Sequence, residues 1–353
     1  MRLAVLTSGG DSPGMNAALR TVTIAGLARG HRVVGIRHGY KGLLAGDVTE
    51  LDTMSVDGIT RYGGTILGSA RSSEFVSPAG QARARQRLRA MAIEALVVIG
   101  GNGSLTGAHV LATDDPACRV LGIPASIDND VGHTGLAIGV DTAVNTIVEA
   151  CDRISDTARA HHRAFLVEVM GRRCGFLAMR AGIAAEADAV LYGEEQISED
   201  EVVARLRQVL RRCFAPGRDR KRALIVKSEG FAIPTVRLAA RLRETLADDA
   251  PDVDLRETIL GHVVRGGNPS AMDRLIAQRL GFAAVLAAER GMTDVMLGWD
   301  VPGEHGLATP DHAVRAIPIP DVLAETERLL DGSSPIVARR INLLKQVEQM
   351  LAF

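Results

Sequence analysis

The sequence predicts an α/β protein with mostly parallel sheets, and three observations lead to this fold class. Short, β-branched apolar runs recur along the chain, longer amphipathic segments separate them, and 353 residues are more than one ordinary core absorbs. The length suggests about two domains. We predict buried strands at residues 3–6, 32–36, 95–99, 120–123, 165–169, 189–191 and 223–226.

The segments between these runs carry the marks of helices. Ser198 and Glu201 form a capping-box pattern, and the apolar residues that follow recur at helical spacing. A second amphipathic helix is predicted at about residues 140–158. We place a domain change near Gly139, where a new series of strand and helix signals begins.

Composition excludes several functional classes. Lys and Arg number 41 against 42 acidic residues, so the net charge offers no field for nucleic acid. The four cysteines match neither a zinc motif nor a disulfide framework, and we expect reduced thiols. The chain starts without the apolar region of a signal peptide, and no apolar run could span a bilayer. These features predict a cytoplasmic protein with no membrane partner.

Two glycine-rich turns follow predicted strands and precede predicted helices, at residues 8–16 and 100–104. Glycines let the backbone approach a ligand, and free N–H groups at a helix start favour an anion. A tight turn without a ligand is the alternative for each. Because parallel strands end at one edge of a sheet, two such turns together predict a ligand-binding crevice.

The most informative segment, residues 125–130, reads ASIDND and follows a predicted strand. It brings the hydroxyl of Ser126 close to the carboxylates of Asp128 and Asp130, so that a general base and a metal ligand can act side by side. This arrangement is typical of phosphoryl transfer. A third glycine cluster, residues 63–71, ends in Arg71, which suits phosphate oxygens; a surface ion pair is the alternative.

Two further motifs complete a pattern that resembles the phosphofructokinase family. Residues 168–175 read EVMGRRCG, and residues 261–269 read GHVVRGGNP. Together with the earlier segments they match the family, in order, from residue 3 to about residue 300. The resemblance implies two Rossmann-like, three-layer αβα domains with mostly parallel sheets and an active site in the cleft between them.

The resemblance also implies a domain plan and a reaction. A phosphoryl-donor domain would comprise residues 1–139 and about 263–305, and a sugar-phosphate domain residues 140–262 and about 306–330, followed by a helical tail at 331–353. The implied reaction is the glycolytic, Mg²⁺-dependent transfer of a phosphoryl group from ATP to the 1-hydroxyl of fructose 6-phosphate. The implied assembly is a homo-oligomer, dimer or tetramer, with shared active sites.

Family roles carry over position by position. Asp128 matches the general base, and two arginines match those that offset charge on the moving phosphoryl group. The implied catalytic set is Asp128, Arg71, Arg172, Ser126 and Gly10. The implied donor-binding set is Gly10, Tyr40, Arg71, Ser72, Gly101, Asn102, Gly103 and Ser104, with Asn102 and Asp130 as metal ligands.

The resemblance implies a separate set of contacts to the sugar phosphate. Glu229 would accept hydrogen bonds from sugar hydroxyls, and arginines with His262 would hold the 6-phosphate. Arg163 and Arg256 match residues that reach the neighbouring subunit's site. Taken singly, a strand-edge charge is the alternative for Arg256, and core packing for Met170. The full implied set is Ser126, Asp128, Asp130, Arg163, Met170, Gly171, Arg172, Glu229, Arg256, His262 and Arg265.

The sequence departs from the family pattern where the donor binds. Asn102 stands where nucleotide users generally carry an acidic residue, which implies weaker Mg²⁺ binding or a different donor. Gly103 leaves the nucleotide path open, and Ala125 lacks the charge of the lysine typical of pyrophosphate users, so this pair favours ATP. Ser72 and Val76 replace an aromatic residue and an arginine of many nucleotide users, which keeps pyrophosphate as the alternative donor.

Parts of the sequence are compatible with three further functions. Residues 100–104 also resemble the glycine turn of NAD kinases and lipid kinases, but those families lack the sugar-phosphate set. A non-catalytic sugar-phosphate sensor would have no need of a base. A larger ketose phosphate, such as sedoheptulose 7-phosphate, would suit the same phosphate clamp.

Two features lie outside the catalytic pattern. The family's effector site is incomplete, because uncharged residues replace several of its contacts, and we expect weak or absent regulation by ADP or phosphoenolpyruvate. The positions that could still contribute are Arg20, Arg218 and Arg220, and the replaced ones are Ile24, Thr53 and Ser155. The tail carries an apolar stripe that predicts a helix packed on its own protein: Ile341, Leu344, Val347 and Leu351.

Overall fold

The fold is that of a computed structural model, which describes residues 1–113, 118–217, 221–247, 253–303 and 305–351. These residues form two compact units. Unit 1 comprises Met1–Thr142 and Arg265–Arg328, and unit 2 comprises Ala143–Val264 and Leu329–Phe353. The predicted effector residues Arg218 and Arg220 lie outside the described residues.

Unit 1 contains eight strands, and helices α5 and α10 begin in it and end in unit 2. Its elements are β1 (Arg2–Ser8), α1 (Met15–Ala28), β2 (Arg32–Ile36), α2 (Gly39–Ala45), β3 (Val48–Leu51), a 3₁₀ turn (Ile59–Arg61), α3 (Pro78–Ala90), β4 (Ala95–Gly100), α4 (Asn102–Thr113), β5 (Arg119–Pro124), α5 (Val140–His161), α9 (Ala271–Glu289), β10 (Val295–Trp299), β11 (Leu307–Ala308), β12 (Val314–Pro318) and α10 (Ile319–Asp331).

Unit 2 contains the remaining four strands. Its elements are β6 (Arg163–Val169), α6 (Phe176–Ala184), β7 (Ala189–Leu191), α7 (Glu199–Cys213), β8 (Ala223–Ser228), α8 (Thr235–Leu246), β9 (Asp254–Ile259), a 3₁₀ turn (Gly261–Arg265) and α11 (Pro335–Leu351). The predicted capping box is present at the start of α7, where Ser198 and Glu201 each accept a hydrogen bond from the other's backbone N–H.

The sheet of unit 1 has the strand order β11-β12-β10-β5-β4-β1-β2-β3, and the five strands from β10 to β2 in this order are parallel. Apolar side chains cover both faces. Leu3 and Val5 of β1 enter one core with residues of α1 and α9, and Ala4 and Leu6 enter a second core on the opposite face. A parallel sheet buried on both faces explains why the strands read as continuous apolar runs.

The sheet of unit 2 has the order β7-β8-β6-β9, and every pair is parallel. Helices α7 and α8 pack on one face, where Leu206 and Leu242 share a core with Leu166 of β6. Helix α6 packs against β7 and β8, and its Gly182 lies against Val190 on the other face. The predicted α/β class with mostly parallel sheets is confirmed in both units.

The domain plan differs at one point from the plan expected from the sequence. Residues 306–328 belong to unit 1, because β11 and β12 extend its sheet by antiparallel pairing next to β10. The predicted tail helix is α11, which packs on α6 within unit 2 and buries Leu344. The side chain of Leu351 lies outside the part that the structure describes.

Two expectations from composition also have structural counterparts. The four cysteines are all buried thiols. Within the described ranges, none of the helices has the length and apolar character needed to cross a membrane.

A buried carboxylate joins α9 to the segment that follows the ASIDND motif. Asp273 is fully buried, and it accepts hydrogen bonds from the backbone N–H groups of Gly139 (2.8 Å) and Thr142 (2.7 Å) and from the Thr142 hydroxyl (2.5 Å). Burial raises the pKa of this carboxyl, and the three donors oppose that shift. The bonds hold the start of α5 on α9.

Replacing Asp273 by Asn should lower the free energy of unfolding by about 2 kcal/mol, because an amide has one acceptor oxygen, so at least one buried N–H group loses its acceptor and faces an amide N–H instead. Urea denaturation measures the change. The control Asp152→Asn, at an exposed position of α5, should shift unfolding by less than about 0.5 kcal/mol. Equal stability of the two variants would contradict the assigned role.

Candidate active site

The site begins where the parallel strands of unit 1 end. Register places Ser8 of β1 opposite Gly100 of β4, and Gly100 opposite Pro124 of β5. Both glycine turns and the ASIDND segment therefore leave the sheet at one edge, as the sequence predicts. Packing there is tight, since a Cβ on Gly100 would lie 2.5 Å from the Ser8 carbonyl oxygen.

The backbone of the first glycine turn lies against the guanidinium of Arg265. Gly9 has φ +87°, and Gly14, which precedes α1, has φ +106°; both values favour glycine. Arg265 donates to the carbonyl of Asp11 (3.3 Å), and its Nη1 would lie 2.7 Å from a Cβ on Gly10. The predicted phosphate contact Gly10 and the predicted sugar contact Arg265 are thus neighbours.

The third glycine cluster is held in place by α1 and β1. Asn16 is 1% exposed; its amide donates to the carbonyls of Tyr62 (3.1 Å) and Gly63 (3.2 Å) and accepts from the N–H of Ile66 (2.9 Å). Thr7 of β1 adds a bond to the carbonyl of Gly68 (2.9 Å). The loop that ends in the exposed Arg71 therefore starts from a fixed base.

The ASIDND segment buries both of its carboxylates. Asp128 is 1% exposed and Asp130 is 5% exposed, and the Ser126 hydroxyl donates to Asp130 (2.8 Å). Asn129 adopts φ +51°, and its amide bonds the backbone of Gly135 and Ala137. Two buried carboxylates, one of which accepts a hydrogen bond from a hydroxyl, suit a base and a cation ligand.

The amide of Asn102, a predicted metal ligand and the first residue of α4, forms hydrogen bonds within the protein. Its amide nitrogen donates to the carbonyl of Asp130 (3.1 Å), and its Oδ1 accepts from the hydroxyl of Thr326 (3.3 Å). Both ends of the amide are engaged within the protein, and its oxygen, which has two lone pairs, keeps one of them for a cation. In the described parts of the chain, no group of three or more His, Cys, Asp or Glu side chains could hold a metal.

The remaining donor-side positions divide into open and buried ones. A Cβ on Gly103 would meet nothing within 4 Å, so the space beside it is open. Ala125 is 1% exposed and packs in the core, and Gly101 lies against Ser126. Ser104 is buried with its Oγ close to Gly9 and Gly100, and Ser72 accepts a hydrogen bond from the N–H of Phe75.

Tyr40, a predicted donor contact, has the position of a core residue. The ring is 5% exposed and stacks on Phe75 at 4.0 Å, and its hydroxyl donates to the carbonyl of Ser104 (2.6 Å). Burial raises the pKa of this phenol. Tyr40 therefore anchors the first turn of α4.

In unit 2, a turn after β6 is tied to a carboxylate after β8. Glu229 accepts from the N–H groups of Gly171 (3.2 Å) and Arg172 (2.7 Å). Gly171 has φ +147°, and Arg172 has φ +49°, so the turn is sharply bent between them. Met170 is buried beside it, and His262 lies exposed in the 3₁₀ turn after β9.

Two predicted sugar contacts lie at the opposite end of the same sheet. Arg163 opens β6 and, with Arg256, bonds Asp254, at 2.7 and 2.8 Å respectively. The hydrogen bond from Arg256 is the main cause that lowers the pKa of this carboxyl, and Arg163 adds to it. Seven residues of β6 separate the two ends by roughly 20 Å. One chain therefore does not bring Arg163 and Arg172 together.

Two of the predicted effector positions line one cavity in unit 1. Arg20 and Ile24 line a cavity of about 470 Å³ between α1 and α9. The other charged residues of its lining, Arg279 and Asp311, form an ion pair with each other.

Sequence reasoning missed Asn16, Asp273 and Thr326. Asn16 lies within the first glycine turn, so a polar residue at the start of an apolar helix was a usable signal. Asp273 and Thr326 bond residues more than 100 positions away, and nothing in the local sequence marks such partners.

Comparison with known proteins assigns the chain to a family. A family model described as Phosphofructokinase matches residues 2–288. The chain belongs to the phosphofructokinase family. The family and the α/β fold expected from the sequence are thereby confirmed.

Relatives and a solved structure agree with this membership. The chain is 45% identical over 296 residues to the ATP-dependent 6-phosphofructokinase of Thermotoga neapolitana, covering 84% of this chain and 89% of the relative. It is 44% identical over 315 residues to the ATP-dependent 6-phosphofructokinase 1 of Thermus thermophilus, covering 89% and 94%. The phosphofructokinase structure from Saccharomyces cerevisiae matches 99% of this chain with a TM-score of 0.82 and 32% identity. This chain spans about half (48%) of that yeast chain.

Replacing Asn16 by Ala should release the loop that leads to Arg71, because three partly buried backbone groups lose their partner. We expect a loss of about 2 kcal/mol in unfolding free energy and faster amide exchange in residues 62–71, measured by hydrogen–deuterium exchange. Asn342→Ala, on the exposed face of α11, is the matched control. Unchanged exchange in the loop would show that Asn16 does not hold it.

Proposed function

We propose that this chain is an ATP-dependent 6-phosphofructokinase, which transfers the terminal phosphoryl group of ATP to the 1-hydroxyl of fructose 6-phosphate. The observation that carries the proposal is the pair of buried carboxylates, Asp128 and Asp130, at the strand edge where the glycine turns converge. Relatives of about 45% identity with that name support it. The reaction class, transfer of a phosphoryl group to an alcohol, follows from family membership.

Asp128 takes the proton of the sugar hydroxyl. A carboxylate within hydrogen-bonding reach of the attacking hydroxyl can act as the base of a phosphoryl transfer, where positioning and charge stabilisation supply most of the rate. Arg71 and Arg172 offset charge on the moving group, with backbone contact at Gly10. The Ser126 hydroxyl, which donates its single proton to Asp130 here, can turn to donate it to a phosphoryl oxygen instead.

The donor side fits a Mg²⁺ ion held by few protein ligands. Asp130 supplies a buried carboxylate, whereas the Asn102 amide is engaged by Asp130 and Thr326. Mg²⁺ commonly uses one or two carboxylates together with substrate phosphates. When bound, the ion would neutralise phosphate charge, and Asp130 with the donor's own oxygens would hold it.

The donor is ATP rather than pyrophosphate. The open space at Gly103 leaves a path for a nucleotide, and the buried methyl of Ala125 presents no cation to a pyrophosphate. The named relatives are ATP-dependent. Ser72 and Val76 remain the positions that favour the pyrophosphate alternative.

The sugar site is shared between subunits of a homo-oligomer. Met170, Gly171, Arg172, Glu229 and His262 lie at the carboxyl end of the unit 2 sheet. Arg163 and Arg256 lie at its amino end, roughly 20 Å away. Residues this far apart cannot bind one small phosphate, so the arginine pair serves the site of a neighbouring subunit.

Rates with fructose 6-phosphate and either ATP or pyrophosphate, across a Mg²⁺ titration, test the reaction. We expect turnover with ATP and Mg²⁺ only. Asp128→Asn should lower turnover by about 10³-fold while fructose 6-phosphate binding, measured by calorimetry, changes little. Asp57→Asn, at an exposed position, should behave as the wild type. Turnover with pyrophosphate alone would overturn the choice of donor.

Mixed oligomers test the shared site. Co-expressed Asp128→Asn and Arg163→Ala chains should recover about a quarter of wild-type turnover, because random assembly pairs an intact base with an intact neighbouring arginine at that frequency. Asp128→Asn mixed with Arg71→Ala is the control, since both residues come from unit 1 of one chain. No recovery in the first mixture would place Arg163 outside a shared site.

A further inference from the structure

Helix α10 packs closely on the segment that carries Asp130. A Cβ on Gly132 would lie 2.5 Å from the carbonyl oxygen of Val322, 2.8 Å from the Cβ of Glu325 and 2.9 Å from the backbone nitrogen of Thr326. The backbone of residues 130–132 therefore lies directly against one face of α10. No side chain fits between them.

One hydroxyl on that face bonds two parts of the donor side. Thr326 is 4% exposed; its Oγ1 accepts from the N–H of Gly132 (2.8 Å) and donates to Oδ1 of Asn102 (3.3 Å). A hydroxyl has a single proton. Since Gly132 is the donor in the first bond, that proton is available for Asn102.

These bonds fix the orientation of the Asn102 amide. Its oxygen faces the Thr326 hydroxyl, so its NH₂ group faces the carbonyl of Asp130, which can only accept. Three hydrogen bonds join Gly132, Thr326, Asn102 and Asp130, and the backbone of residues 130–132 closes them into a ring. A carboxylate at position 102 could not donate to the Asp130 carbonyl, so the amide and the threonine are matched to each other.

We propose that Thr326 is a positioning residue for the nucleoside triphosphate and its divalent cation. It orients Asn102 and holds residues 130–132 so that the Asp130 carboxylate keeps one place at the strand edge. This inference rests on the proposed function, because it assigns donor binding to Asp130. Residues that orient a metal ligand from behind commonly change metal affinity by about 10- to 100-fold when they are lost.

Thr326→Val tests the role, because it keeps the shape of the side chain and removes the hydroxyl. We expect the Gly132 amide, followed by hydrogen exchange, to lose protection at least about tenfold. Binding of Mn²⁺ with a non-hydrolysable ATP analogue, followed by electron paramagnetic resonance, should weaken by about tenfold. Thr326→Ser keeps the hydroxyl and should stay within about twofold of the wild type in both measurements.

A double-mutant cycle separates the ring from a general packing effect. If Asn102→Ala and Thr326→Val break the same ring, the double variant should lose no more Gly132 protection than the stronger single variant. Thr245→Val, where the hydroxyl bonds the carbonyl of Leu242 in its own helix α8, is the control for the substitution. It should leave Gly132 exchange and Mn²⁺ binding unchanged.

The outcomes distinguish the two proposals. Equal behaviour of Thr326→Val and Thr326→Ser, or additive losses in the cycle, would overturn the positioning role. Failure of the wild-type protein itself to bind the Mn²⁺–nucleotide pair would instead refute the proposed donor site, and Gly132 exchange would still report whether the ring exists.

Discussion

Parallel pairing of β1, β4 and β5 is the constraint on which the donor side depends. Their register brings Ser8, Gly100 and Pro124 to one level, so the loops that follow share one edge. Neighbouring strands lie about 5 Å apart, which leaves space for backbone but little for side chains. Glycine at Gly9 and Gly100 follows from this crowding as much as from any ligand.

Burial of polar groups at this edge demands partners from distant parts of the chain. An unpartnered buried carboxylate or amide costs several kcal/mol, so such groups need neighbours that satisfy them. Asp273 of α9 satisfies the start of α5, and Thr326 of α10 satisfies Asn102 and Gly132. The last third of the chain thus stabilises segments of the first half. Hydrogen bonds of this kind convert a flexible turn into a fixed binding surface.

The sheet of unit 2 imposes a different constraint. Strand β6 carries Arg163 at its first residue and leads into Arg172 after its last, and a strand is too rigid and extended to bring its ends together. Asp254 keeps the arginines at the amino end paired and oriented. Under the proposed function, a single chain would present two incomplete sets of sugar-phosphate contacts. Association of identical chains would unite them.

The sequence by itself determined the fold class, seven of the strands, the capping box of α7 and the family, because these depend on local periodicity and on motifs of contiguous residues. It also placed Asp128 and Asp130 together, since they are two residues apart. It did not reveal β10 or the short or charged strands β3, β9, β11 and β12, whose pairing depends on distant neighbours. Only the tertiary structure assigned Tyr40 to the core, engaged both ends of the Asn102 amide and brought Thr326 to that amide, because hydrogen bonds between residues 28, 64 and 224 positions apart leave no periodic signal in the chain.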